Sequence, residues 1–329
     1  MLITNESVEN IDIRNYLPIY LETLRLDSIL DFDLYIRLGN KPVLYRSKNL
    51  PFTNKTKAKL LESKVTRLYV KPDERKHYQR YIEQNLNLLI RDEKVPEPKK
   101  AGILYETSKG LVKEVLSNPH LGENIRRSKD LVGNTVEYIL RGREAFVNLI
   151  KITSFDYYTY THSVNVCTFT IALAQRLGIT DRRRLSELGV GALLHDVGKV
   201  KIPERILKKQ SALNPAEFEV MKKHPGLGQE LLRETDLLAI DSYLPVTQHH
   251  ERLDGSGYPR GLNENMIHDY GKMIAIADVF DALTTKRVYQ EAMGAYPAFK
   301  MMYEMKNKFD DKYMREFTML MGPDHYSKF

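Results

Sequence analysis

Gly191-Ala192-Leu193-Leu194-His195-Asp196-Val197-Gly198-Lys199 sets a histidine and an aspartate at the end of an apolar run. Apolar residues recur at spacings of three and four through 185–194, the period of a helix that buries one face, so the run delivers His195 and Asp196 to an interior. Burying an aspartate there costs on the order of several kcal/mol unless a cation compensates. A metal ion is the simplest compensation, with Asp196 able to bridge two ions through its two oxygens while His195 binds one. Gly198 permits close backbone approach, and Lys199, about one helical turn from His195, can bring its ammonium into the same pocket.

The helical period continues on both sides, through 103–116, 131–140, 164–177, 218–232 and 299–309, with breaks expected at Gly178, Pro203, Pro225, Pro245, Gly255 and Pro297. Before residue 95 the pattern is mixed. Phe32-Asp33-Leu34-Tyr35-Ile36-Arg37-Leu38, a turn Gly39-Asn40-Lys41-Pro42 and Val43-Leu44-Tyr45 read as a hairpin. A polar helix over 54–64, a strand over 66–70 and a helix opening near Pro72 follow. The two prolines of Lys94-Val95-Pro96-Glu97-Pro98-Lys99-Lys100 mark the boundary. The fold class is therefore mainly α, an all-helical C-terminal bundle preceded by a small α+β N-terminal domain.

At 329 residues and 42% apolar content the chain can bury a core in each of two domains. It has no run of eighteen apolar residues and its first residues lack a signal-peptide plan, which predicts a cytoplasmic protein without a membrane span. The net charge of +7 comes from 50 basic residues scattered among 43 acidic ones, a balance that fits a small anionic ligand as well as a polymer, and no nucleic acid polymer is expected as a partner. Arg182-Arg183-Arg184 and Lys99-Lys100 are expected to be solvated faces. The single cysteine, Cys167, excludes an internal disulfide and any cysteine-rich metal site, so a metal must be held by nitrogen and oxygen.

The candidate ligands supply both. Five of the nine histidines, His162, His195, His224, His249 and His250, fall within ninety residues. Adjacent imidazoles at 249 and 250 carry four ring nitrogens that need partners when buried, a poor choice for an ordinary core. His224, ahead of Pro225-Gly226, would alone be a loop residue. Asp278 and, one turn later, Asp281 lie in the apolar helix Ile274-Ala275-Ile276-Ala277-Asp278-Val279-Phe280-Asp281-Ala282-Leu283-Thr284, a liability without a cation nearby. His162, His195, Asp196, His224, His249, His250 and Asp278 make seven ligands, too many for one ion and about right for two.

These residues resemble an HD-GYP domain, a bacterial subgroup of the HD phosphohydrolase superfamily. The resemblance rests on His195-Asp196-Val197-Gly198-Lys199, the complete His249-His250-Glu251-Arg252-Leu253-Asp254-Gly255-Ser256-Gly257-Tyr258-Pro259, and the aspartate helix with Arg287 and Tyr289, in the family's order over about residues 145–315. It implies an HD-type helical domain over 145–329, and the pattern before it leaves a helical linker over 96–144 and, over 1–95, a small α+β domain of unassigned role, a regulatory or dimerising module or a structural cap. It also implies hydrolysis of cyclic di-GMP to pGpG and onward to GMP. Two ions about 3.5–4 Å apart would hold a bridging hydroxide and clamp the phosphodiester for in-line attack. In this reading Asp196 and Lys199 are catalytic, Lys199, Arg287, Tyr258 and Asp281 contact substrate, and Glu251 and Asp254 orient the histidines and the loop. Iron is favoured and manganese is the alternative. Other expected partners are a protein at the Gly257-Tyr258-Pro259 loop and a second copy of the chain as a homodimer.

Two departures bear on the outcome. Some relatives carry a glutamate for a third ion where this chain has Tyr158, which predicts a two-metal site. Gln290 stands where a basic residue is common, which predicts modest nucleotide affinity and a slow second cleavage. The competing readings are a cyclic di-GMP receptor or scaffold with little turnover, and a phosphohydrolase for another nucleotide.

Overall fold

A computed structural model describes residues 12–117, 121–153, 159–285 and 292–322, and among them the protein is mainly helical. The chain divides into two compact units, Met1–Val95 and Pro96–Phe329.

In the first unit, strands β1 (Leu17–Tyr20), β2 (Ser28–Ile29), β3 (Leu34–Leu38), β4 (Lys41–Arg46) and β5 (Pro51–Phe52) precede helix α1 (Asn54–Glu62), strand β6 (Arg67–Val70) and helix α2 (Arg75–Arg91). Antiparallel pairing gives the order β1-β6-β3-β4, and β2 pairs with β5 apart from it. The β3–β4 turn is tighter than the sequence suggests. Lys41 and Pro42 already pair with Leu38 and Arg37, leaving Gly39-Asn40 as the loop, with Gly39 at φ +61° where a side chain would be strained. Phe32 fixes α2 to this unit, its ring 5.5 Å from those of both Tyr78 and Tyr81.

The second unit contains α3 (Glu97–Ser117), α4 (Leu121–Ile139), α5 (Arg143–Ile152), α6 (Thr159–Arg176), α7 (Arg182–Leu194), α8 (Glu204–Leu207), α9 (Pro215–Met221), α10 (His224–Arg233), α11 (Tyr243–Gln248), α12 (Asp269–Thr284), α13 (Ala295–Glu304) and α14 (Asp311–Leu320). Helix α3 takes in Pro98 and Lys100, since a proline in the first turn removes only an N–H that the helix would leave unbonded. Lys100 is not solvated as expected. It is buried, with Nζ 2.7 Å from Glu97 Oε1. Arg182, Arg183 and Arg184 are exposed. The break expected at Pro225 falls instead at Lys222-Lys223, and Pro225 lies in the first turn of α10. Helix α9 is started by a reciprocal cap between Asn214 and Glu217.

Helix α6 is the centre of this unit, buried from Thr161 through Ala174, as expected of a helix covered on all sides. Phe169 on α6, Phe280 on α12, Phe299 on α13 and Phe317 on α14 form one aromatic cluster, with Phe280 stacked on Phe299 at 4.8 Å and edge-on to Phe317 at 5.2 Å. That packing anchors α6 against α12, the two helices that carry His162, Asp278 and Asp281.

Candidate metal centre

The bundle brings all seven expected ligand residues together. Three of the histidines stand at helix ends, where backbone carbonyls lack intrahelical partners. His195 follows α7 and its Nδ1 donates to Ala192 O at 2.8 Å. His249 follows α11 and its Nδ1 donates to Val246 O at 3.0 Å. His224 is not a loop residue. It opens α10 just past the end of α9, and its Nδ1 donates to Met221 O at 2.8 Å. A carbonyl only accepts, so each Nδ1 carries the proton and each Nε2 presents a lone pair.

Those three Nε2 atoms and that of His162 converge on Asp196. His162 Nε2 and His195 Nε2 lie 3.8 Å and 3.5 Å from its Oδ2, while His224 Nε2 and His249 Nε2 lie 3.4 Å and 3.9 Å from its Oδ1. Asp278 spans the same divide, with Oδ1 3.1 Å from His162 Nε2 and Oδ2 3.7 Å from His250 Nδ1. Two groups can each hold a cation, His162 with His195 and Asp196, and His224 with His249 and His250.

The donor set fits a cation on electrostatic grounds as well. His224 Nε2 and His249 Nε2 face each other at 3.1 Å, two lone pairs with no proton between them in the tautomers just derived. His195 Nε2 and Asp196 Oδ1 are buried with no hydrogen-bond partner among the described residues. Orphaned buried acceptors of this kind are costly, and a metal ion satisfies them together. Burial pushes the pKa of His195, His224, His249 and His250 below the ordinary value, His224 down to about 4, so these four are neutral near pH 7, the form a metal ligand takes. Burial also opposes charge on His162, yet the flanking carboxylates of Asp278 and Asp281 outweigh it and raise its pKa well above the ordinary value. Asp196 resists the same burial because Lys199 and the surrounding imidazoles hold its pKa well below the usual carboxylate range. Lys199 Nζ is 2.5 Å from Asp196 Oδ2, and its side chain retains partial exposure.

Asp281 does not stand where a substrate contact was expected. It is buried behind His162, with Oδ2 taking the Nδ1 proton at 2.7 Å and Oδ1 accepting from Asn165 Nδ2 at 2.7 Å. Both oxygens are thus committed to positioning. Glu251 likewise does not back the histidines. Its two oxygens accept the backbone N–H groups of Arg260 and Leu262, at 2.8 Å and 2.9 Å, and so hold the glycine-rich loop. Asp254 is exposed and orders only the turn, accepting from Ser256 N and Oγ. Tyr258 is partly buried at the rim, its ring 4.5 Å from His250 and 6.0 Å from Phe218 of α9. Arg287, Tyr158 and Gln290 lie outside the described residues.

Close backbone approach at Gly198 is confirmed by its surroundings, since a β-carbon there would stand 2.0 Å from His224 O and 2.5 Å from Gly228 N. Cys167 is no ligand. It is a buried thiol donating to Gly189 O, its pKa pushed up to about 12 by burial. Two positioning residues escaped the sequence reading. Asn165 shares the face of His162 one turn on, a spacing that could have revealed it. Arg252 donates to the carbonyls of His249 and Glu251 and packs over the Phe309 ring, closing the turn after the histidine pair.

A helical bundle whose buried histidines and aspartates aim acceptors at a shared centre defines a metal-binding domain of the histidine-aspartate class. The HD domain family matches residues 144–313, and the chain belongs to it. Among curated proteins it is 36% identical to Cyclic di-GMP phosphodiesterase PA4108 of Pseudomonas aeruginosa over 69% of this chain and 55% of that protein. It is 37% identical to a Cyclic di-GMP phosphodiesterase of Thermotoga maritima over 46% of this chain and 42% of that one. The chain thus spans about half the length of the curated relatives it matches. Among solved structures it is similar to Bd1817, a HDG"Y"P protein from Bdellovibrio bacteriovorus, with a TM-score of 0.64 and 27% identity over 93% of this chain and 100% of that one. No helix among the described residues is long and apolar enough to cross a membrane.

Proposed function

We propose that this chain is a metal-dependent phosphodiesterase that cleaves cyclic di-GMP to pGpG, with a slower second cleavage to GMP, and that it works with two divalent cations, iron or manganese. The observation that carries the proposal is the division of Asp196, whose Oδ2 faces His162 and His195 while its Oδ1 faces His224 and His249. The names of the curated relatives support the substrate class. Two cations held by the seven ligands would acidify water and offset charge on the phosphodiester. A nitrogen and oxygen donor set without thiolate suits iron or manganese.

The chain's own residues account for the rest. Backbone carbonyls hold His195, His224 and His249 in one tautomer, so three Nε2 lone pairs are ready without reorganisation. In the ion-free protein His162 is charged between Asp278 and Asp281, and it would give up its Nε2 proton to serve as a ligand. Lys199 supplies positive charge for a phosphoryl oxygen as it becomes more negative, and Tyr258 offers its hydroxyl at the rim.

The test loads the full chain with iron(II) or manganese(II) without oxygen, adds cyclic di-GMP and resolves products by chromatography beside Asp196→Ala. Metal content and cleavage are expected to fall together in the variant. Turnover that survives without metal would sink the proposal. Tight binding without product would instead mark a receptor, and three occupied ions per chain would overturn the two-ion count.

A further inference from the structure

Helix α3 lies outside the residues matched by the HD domain family, yet a chain of hydrogen bonds runs from it to the metal centre. Tyr105 on α3 donates its hydroxyl to Asn165 Oδ1 at 2.9 Å, Asn165 Nδ2 donates to Asp281 Oδ1 at 2.7 Å, and Asp281 Oδ2 takes the His162 Nδ1 proton at 2.7 Å. All four side chains are buried. Only one sense of donation satisfies the series. A carboxylate accepts, so the Asn165 amide turns its NH2 toward Asp281 and its oxygen toward α3, where a donor is then required. The Tyr105 hydroxyl is that donor.

Position in the fold explains why His162 needs this support and its neighbours do not. His195 and His249 end helices α7 and α11, His224 stands just past the end of α9, and all three take carbonyls from within three or four residues. His162 lies in the first turn of α6, where the free backbone groups are N–H donors, and its Nδ1 meets the Asp281 carboxylate. Its acceptor comes from another helix, α12, and Asn165 holds that acceptor in turn.

We propose that Tyr105 and Asn165 are positioning residues for His162, so that cation binding at the His162, His195 and Asp196 group depends on α3. The inference rests on the reading that this group holds a cation. Manganese(II) alone, without nucleotide, is titrated into this chain after chelator treatment and into Tyr105→Phe, Asn165→Ala and the double variant. Affinity is followed at equilibrium and the coupling between two ions by electron paramagnetic resonance.

Tyr105→Phe removes one hydroxyl and keeps the ring. It is expected to weaken one class of site by about ten-fold, within the range for partners of ligands, and to leave the other class unchanged, while the ion-free thermal midpoint falls only slightly for the one buried hydrogen bond lost. A signal from isolated manganese then replaces the coupled one at partial loading. The double variant is expected to be no weaker than Asn165→Ala, since both lesions break one series. Equal affinity of Tyr105→Phe and wild type at both sites would overturn the inference, as would loss at both sites in step with a lower thermal midpoint. Wild-type protein that takes up no manganese overturns the cation reading and this inference with it.

Discussion

Asp33 in the first unit is a partly buried carboxylate and Asp196 in the second a fully buried one, and their surroundings differ in kind. Asp33 Oδ1 accepts Lys48 N at 2.8 Å, and its Oδ2 meets Tyr35 Oη at 3.3 Å and Lys71 Nζ at 3.4 Å. Its own N–H donates to Glu74. Burial works against its charge, but the Lys48 backbone and Lys71 prevail and its pKa is lowered. The chain supplies every donor this acid needs. Around Asp196 the balance is reversed. Lys199 answers Oδ2, while Oδ1 and the Nε2 lone pairs of His195, His224 and His249 outnumber the available protons. A shielded charge alone is therefore no mark of a site. An excess of acceptors that the chain leaves unanswered is.

The largest test of that contrast is mutation of each acid. Asp196→Ala is expected to lower metal affinity and cyclic di-GMP cleavage by more than the roughly 100-fold upper range for outer partners of a metal site. Asp33→Ala is expected to leave metal content unchanged and to cost about 1–3 kcal/mol of stability in urea denaturation. Equal metal content in both variants would erase the distinction.

Acid titration of the ion-free protein comes next. His224 has a folded-state pKa of about 4 against an ordinary 6.5, so the unfolded chain binds a proton that the fold refuses. Stability from this residue is full above pH 6.5 and is lost as the pH falls toward 4, by on the order of 3 kcal/mol. His195, His249 and His250 are shifted the same way. His162, shifted upward, is charged in both states below pH 6.5 and does not oppose the trend there. The urea midpoint of ion-free protein is expected to fall between pH 7 and pH 4.5, and a flat profile would contradict the burial of neutral imidazoles.

Smaller effects separate the support of the centre from its ligands. Gly198→Ala forces a methyl group against the His224 carbonyl and is expected to cost about 1–3 kcal/mol and to reduce metal uptake at the His224 group. Glu251→Gln keeps the shape of the loop brace but turns one acceptor into an NH2 facing a backbone N–H, so one of the two bonds is lost, for about 1–3 kcal/mol with metal content preserved. Thermal melts and metal analysis distinguish the two.

Much of the architecture is written in local pattern. The three-and-four spacing over 185–194 marks α7, and the hairpin around Gly39 is announced by its turn residues. The candidate ligands are legible because imidazoles and carboxylates set in apolar runs are chemically out of place. What escaped that reading involves partners remote in sequence or a choice among local ones. Asp281 looked like a substrate contact until it was seen to meet His162, 119 residues away. Lys100 looked solvated because its buried setting comes from the packing of the bundle. The split of 218–232 into α9 and α10 was obscured because its apolar spacing continues across Lys222-Lys223.

Chain order and residue chemistry were enough to name a helical domain and the side chains able to bind a cation, since helix period and donor type are properties of short segments. They could not say which nitrogen of each imidazole faces the centre or which oxygen of Asp196 serves which group. Those choices belong to the assembled bundle. A tautomer follows from whatever accepts at the other ring nitrogen, and here the acceptors are carbonyls freed at helix ends and one carboxylate brought across from α12.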